Sequence, residues 1–177
     1  MCLNIKASSV AILPILTYPD ERLKQESQPV EKFDDELRTF LRDLETTMDA
    51  GPGSVGIAAP QVGRFQRIAI VDCSRTRKPV PNHGRLYLIN PEILTWEGME
   101  VGREGCMSVP DYTGNVIRAE RITLRTQNTE GEYIEYAFEG FEARAVQHEC
   151  DHLDGMLFLD RLVSRRNDLF KRKVYQK

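Results

Sequence analysis

The sequence predicts an α+β fold, with strand-like segments through the middle of the chain and a polar-faced helix after them. Three observations lead there. Residues 33–50 carry apolar side chains at helical spacing, several β-rich segments follow between residues 67 and 139, and helical spacing returns over residues 141–155.

Taken in order, the chain opens with "MCLNIKASSVAILPILTYPD", which has one early lysine and a short apolar patch broken by Pro14. A secretory leader needs a longer apolar stretch and a small-residue cleavage site, so this reads as the start of a mature cytoplasmic protein. In "FDDELRTFLRDLETTMDA" the residues Phe33, Leu37, Phe40, Leu41, Leu44 and Met48 share one helical face. Asp34 or Asp35 is placed to cap that helix, and "GPGS" after Ala50 stops it. "GPGSVGIAAPQVG" is aperiodic and rich in glycine and proline, which predicts a loop. "RIAIVD", "LYLINPEIL", "VIRAERITLRTQN" and "EYIEYAFEG" read as strands, the last two joined by a "TEG" hairpin turn. "FEARAVQHECDHLDG" predicts a helix ended by Gly155, and "SRRNDLFKRKVYQ" a short basic helix.

The 177 residues are read as one domain, 1–177, with a short basic segment from about 164 to 177. A formal net charge of −3 leaves no basic surplus, so DNA binding has no electrostatic support. No apolar run approaches the roughly 20 residues that span a bilayer. Cys2, Cys73, Cys106 and Cys150 are scattered without a C-x-x-C pair, which suits free thiols or a single ligand better than a disulfide framework.

Two of the three histidines lie four residues apart in "HECDH". On a helix at about 100° per residue, His148 and His152 fall within about 40° of one another, one turn apart, and can share a metal ion. Glu149 lies about 100° round, close enough to reach a water at the ion, whereas Cys150 lies about 200° round and points into the core. H-E-x-x-H fixes only three positions and also arises on ordinary polar helices. A catalytic tetrahedral site needs a third protein ligand and an open position for water. Cys106 in "GREGCMSVPD", between a glycine and a turn-prone segment, is the candidate; Cys2 sits on a tail and Cys73 follows an apolar strand.

At these residues the sequence resembles the peptide deformylase family, whose three motifs occur in order as "SVGIAAPQ", "EGCMS" and "HECDH". The likeness extends from "YPDERL" to "GMLFLDRL". It implies antiparallel β-sheets around a central metal-binding HExxH helix, and hydrolysis of the formyl group from the initiator methionine of new polypeptides, releasing formate. Cys106, His148 and His152 would hold one divalent cation, Fe(II) in the cell and Zn(II) or Ni(II) in preparations. Glu149 would be the general base, and the Gln61 amide and Met107 backbone N–H would stabilise the carbonyl oxygen. Without the other motifs, Gln61 would read as a loop glutamine capping a turn.

The resemblance also implies that an extended peptide lies along Val55, Gly56, Ile57 and Gly105, with its methionine near Phe141, Ala145 and Val146. For those last three, core packing is the stronger reading from sequence alone. Glu104 would orient a metal ligand or Gln61. Arg103, Arg118 and Arg121 read as surface or structural ion-pair residues, Asp151 as a structural contact and His83 as a solvated loop residue. Ser54 departs from the family's glycine and places a side chain where substrate backbone should pass. Expected partners are N-formylmethionyl peptides and the ribosome near its exit tunnel. The rival readings are a zinc peptidase, disfavoured because neither histidine nor glutamate follows His152, and a non-catalytic scaffold, disfavoured because every reactive residue is present.

Overall fold

The computed structural model describes residues 10–173; residues 1–9, with Cys2 and the first part of the stretch behind the leader reading, and residues 174–177 of the basic segment lie outside the described residues. Helix α1 (Asp35–Ala50) starts where the Asp34 carboxylate accepts the Leu37 N–H at 3.0 Å, and ends at Gly51. Leu37, Leu41, Leu44 and Met48 form its buried stripe, as their spacing predicts.

Eight strands follow: β1 (Gly56–Ala58), β2 (Ile68–Asp72), β3 (Arg85–Glu97), β4 (Glu100–Cys106), β5 (Val109–Arg118), β6 (Arg121–Gln127), β7 (Tyr133–Glu139) and β8 (Leu169–Lys171). They make two antiparallel sheets, one in the order β1-β2-β3-β6-β7 and one in the order β4-β5-β8. Helix α2 (Gly140–Leu153) lies between β7 and the end of the chain. All five residues of β2 are buried because alternate side chains meet different helices. Ile68 and Ile70 join the core formed with α1, while Ala69 and Val71 pack with Ala143, Val146, Cys150 and Leu153 of α2. A third apolar cluster, built on Val109, Val116 and Phe158, supports the smaller sheet. Among the described residues no helix is long and apolar enough to cross a membrane.

Three expected elements differ. The glycine-rich loop contains β1 and a 3-10 turn (Ala59–Val62): Ile57 and Ala58 are buried between the two helices, so alternation disappears. "VIRAERITLRTQN" is split between β5 and β6, which belong to different sheets. The break at Ala119 is stabilised by Gln147, whose amide accepts the Ala119 N–H at 3.0 Å and donates to its carbonyl at 3.0 Å. The basic helix expected near the C-terminus is the strand β8, paired along β5 through Tyr112↔Lys171, Thr113↔Phe170 and Gly114↔Leu169. An available sheet edge overrides local helix preference there.

Gly155 ends α2 with φ +73°, and a Cβ on it would lie 2.3 Å from the Lys24 backbone oxygen. Gly155→Ala is therefore expected to lower unfolding stability by about 1–3 kcal/mol, read from the urea midpoint. An unchanged midpoint would show that this contact does not constrain the fold.

Candidate functional site

Cys106 is the last residue of β4, just before the two-residue turn that leads into β5. α2 passes beside it, with His148 and His152 one turn apart on the near face. The sulfur lies 3.3 Å from His152 Nε2, and one donor atom from each of Cys106, His148 and His152 falls within 4.8 Å of the others. A tetrahedral zinc-like ion with ordinary bond lengths spaces sulfur and nitrogen about 3.5 Å apart, so the donors fit a small divalent cation. Burial alone would raise the Cys106 thiol, but the His152 and His148 rings beside it carry it well below the usual range. Burial pushes the Cys73 and Cys150 thiols up to about 12, as suits inert core residues.

Behind the rings lies a buried charge network. His148 Nδ1 is 2.8 Å from Glu104 Oε1, so an ionised Glu104 accepts that N–H and leaves Nε2 for the donor cluster. Arg118 grips both Glu104 oxygens at 2.9 Å, and Arg144 donates to Glu104 at 2.8 Å. Arg118 also pairs with Asp151, which in turn accepts from Arg161 at 3.0 Å. Burial opposes the charge on Glu104, yet His148 and Arg118 hold its carboxyl well below the ordinary carboxylate range.

In front lies a cavity of about 310 Å³, bordered by Cys106, His148, Glu149 and Gln61. Gln61 is 1% exposed and serves two purposes. Its carbonyl accepts the Ala58 N–H at 2.9 Å, which is the turn-capping role a loop glutamine would have. Its amide nitrogen donates to Ser108 Oγ at 3.1 Å and points at Cys106 Sγ at 3.4 Å. The Glu149 carboxylate is buried, and its Oε2 has no hydrogen-bond partner among the described residues. Burial pushes its carboxyl up to about 7, with the two histidine rings pulling the other way. A Cβ on Gly56 would meet Glu149 Oε1 at 2.6 Å, so only glycine leaves that carboxylate its place.

Val55, Gly56, Gly105, Met107, Phe141 and Ala145 also border the cavity. Ile57 and Val146 do not: both side chains are fully buried in the cores on either side of the sheet, because their positions face inward. Phe141 is 42% exposed, against the core packing expected of it. The Ser54 hydroxyl turns along its own segment and donates to the Gly56 carbonyl at 3.1 Å. His83 is not simply solvated, since Nδ1 lies 2.6 Å from the buried Glu142 and the ring stands edge-on to Tyr136 and Phe138. Arg121 pairs with Glu97 on the surface, as expected. Arg144 went unnoticed in the sequence although it precedes His148 by one helical turn, a spacing that could have flagged it; the contribution of Ser108 had no such signal.

The sequence model described as "Polypeptide deformylase" matches residues 12–168. A peptide deformylase of Acidobacterium capsulatum is 42% identical over 163 residues, covering 92% of this chain and 94% of that protein. The crystal structure of the Thermotoga maritima peptide deformylase superposes with a TM-score of 0.79 at 39% identity, covering 86% of this chain and 99% of its own. The Met-Ala-Ser-bound class I type b peptide deformylase of Acinetobacter baumannii gives 0.80 at 37% identity, covering 87% and 100%.

Arg118 is nearly fully buried between Glu104 and Asp151. Arg118→Met removes the shared cation while leaving both carboxylates inside, and is expected to destabilise the fold by about 3–5 kcal/mol in urea denaturation. A loss below about 1 kcal/mol would show the network to be dispensable for folding.

Proposed function

This chain belongs to the polypeptide deformylase family and is a hydrolase that removes the N-formyl group from nascent peptides; we propose that Cys106, His148 and His152 are the ligands of its metal and that Glu149 is its general base. The observation that carries this assignment is the convergence of one sulfur and two imidazoles beside a buried carboxylate oxygen that lacks a partner. The burial of Cys106 at the end of β4 and of His152 on the near face of α2 supports the reading of α2 as the metal-bearing helix at the centre of the fold.

A divalent cation held by Cys106, His148 and His152 would supply Lewis acidity towards the formyl carbonyl and water. Glu149 takes the proton of the attacking water on a carboxylate oxygen and returns it to the amine that leaves. Gln61 Nε2 and the Met107 backbone N–H donate to the oxygen of the former carbonyl as it gains charge. Gln61 is aimed by the bond between its own carbonyl and Ala58, and His148 by Glu104, so neither has to reorganise as charge develops.

The peptide backbone lies along the free edge of β1 at Val55–Gly56 and beside Gly105. Its methionine side chain packs against Phe141 and Ala145. Ile57 and Val146 are excluded from that contact because their side chains are enclosed on other faces. The Met-Ala-Ser bound by the Acinetobacter protein is the kind of peptide this arrangement takes. The thiolate–imidazole set is compatible with Fe(II) as the cellular ion and with Zn(II) or Ni(II) in its place. The site draws residues from Pro52 to Arg172, which supports reading the chain as one catalytic unit. Work on formylated nascent chains fits a cytoplasmic enzyme acting near the ribosomal exit.

Protein prepared without oxygen and loaded with Fe(II) is expected to release formate from formyl-Met-Ala-Ser with one metal per chain. Glu149→Gln should keep that stoichiometry while kcat falls by about 10²–10⁴-fold. Retention of near-normal turnover would remove Glu149 from the chemistry. Gly56→Ala should also keep the metal, and should lower kcat by at least about tenfold because the new methyl displaces Glu149.

A further inference from the structure

One wall of the cavity contains groups that the formyl chemistry does not use. Arg103 and Gly105 alternate with the buried Glu104 and Cys106 along β4, and so share the outward face of the smaller sheet. The register Gly105↔Thr113↔Phe170 continues that face across β5 to β8, where Arg172 follows two residues after Phe170. Arg103 and Arg172 border both the catalytic cavity and a second concavity on β8, so the two spaces adjoin at these side chains.

Both guanidinium groups are held without a carboxylate. Arg103 lies 3.8 Å over the Phe170 ring and donates to Asn115 Oδ1 at 2.9 Å. Arg172 donates to the Cys106 carbonyl at 3.4 Å, and its Nη2 would be 2.8 Å from a Cβ on Gly105, so it rests directly over that glycine. Neither forms an ion pair among the described residues, whereas the buried Arg118 and Arg144 both pair with Glu104. The acids nearest in sequence on that sheet are otherwise arranged. Asp168 accepts from Asn115 at 2.8 Å; Asp111 stands across from Arg172 and accepts its N–H through the backbone carbonyl at 2.8 Å, and the two form no ion pair. Exposed Lys171 and Lys173 add to the positive charge.

We propose that Arg103 and Arg172 form a carboxylate-binding subsite that favours formylated peptides with aspartate or glutamate at the third residue. The inference rests on the deformylase reading given above. A peptide extended along β4 with its formyl group at Cys106 advances about 3.3 Å per residue, as β4 does. Counted from Cys106, its first residue therefore comes level with Gly105, its second with Glu104 and its third with Arg103. Arg103 is already oriented by an aromatic face and an amide, so little freedom is lost when it pairs.

The test compares formyl-Met-Ala-Glu-amide, formyl-Met-Ala-Gln-amide and formyl-Met-Ala-Lys-amide on the Fe(II) enzyme, the amides removing any terminal carboxylate. The Glu peptide should show kcat/KM about three- to tenfold above the Gln peptide, through KM, with the advantage shrinking as salt is raised. Arg172→Gln and Arg103→Gln should each reduce the Glu/Gln ratio, and Arg172→Glu should turn the preference towards the Lys peptide. The ratio in the unaltered enzyme decides the matter even if a variant folds poorly. Equal kcat/KM for the Glu and Gln peptides overturns the subsite, whether or not the same arginines bind a ribosomal RNA fragment. Turnover of the Gln peptide separately tests the deformylase reading, so the two failures are distinguishable.

Discussion

The arrangement of the site depends on how the Glu104 carboxylate is shared. Its two oxygens meet the Arg118 and Arg144 guanidinium groups and the His148 ring, all inside the protein. A buried carboxylate is tolerated only when charge and hydrogen bonding are both satisfied, and here three groups do so. Each bond also ties down an element: Arg118 comes from β5, Arg144 and His148 from α2, and Glu104 from β4. The network thereby docks the smaller sheet against the helix and sets the tautomer and direction of an imidazole. Stability and site geometry share one cause, so a substitution in the network should affect both.

Helix α2 shows why the interior can be polar. Eleven of its fourteen residues are buried, among them Glu142, Arg144, Gln147, Glu149, Asp151 and His152. Its apolar side packs on the larger sheet in the usual way. Its polar side faces the smaller sheet, where nearly every group is matched; Gln147 stands in for strand partners at Ala119, and Asp151 bridges two arginines. Glu149 Oε2 and His152 Nδ1 are the atoms on this helix left without partners. Glu149 borders the cavity, where an unmatched carboxylate oxygen is suited to handling a proton.

Much of this was legible beforehand, for identifiable reasons. The face of α1 follows from side-chain spacing, and the strand character of β2, β3 and β7 from β-branched and aromatic runs between turn signals. The relation of His148, Glu149 and His152 follows from helical geometry alone, as does the inward direction of Cys150. Cys106 was placed as a ligand candidate by its position before a turn, where the structure does put it. Burial from two sides hid β1, because strand alternation vanishes when both faces are covered. The split between β5 and β6 depends on Gln147, far along the chain, and no local pattern encodes that contact. β8 depends on an edge offered by β5, and the inward facing of Ile57 and Val146 depends on which core each side chain meets. Ser54 looked obstructive, yet its hydroxyl is satisfied within its own turn.

The shortness of β1 has a further consequence. It spans only Gly56–Ala58 and is the outermost strand of its sheet, so its outer row of main-chain groups has no strand partner; the Ser54 and Gln61 side chains bond the Gly56 carbonyl and the Ala58 N–H there. A long flat border of that kind recruits copies of itself and leads to aggregation. Three residues offer too few ladder bonds to hold a permanent guest, and a glycine among them weakens the lattice further. The same border can still receive a short extended visitor and let it go, which gives turnover without opening a route to fibres.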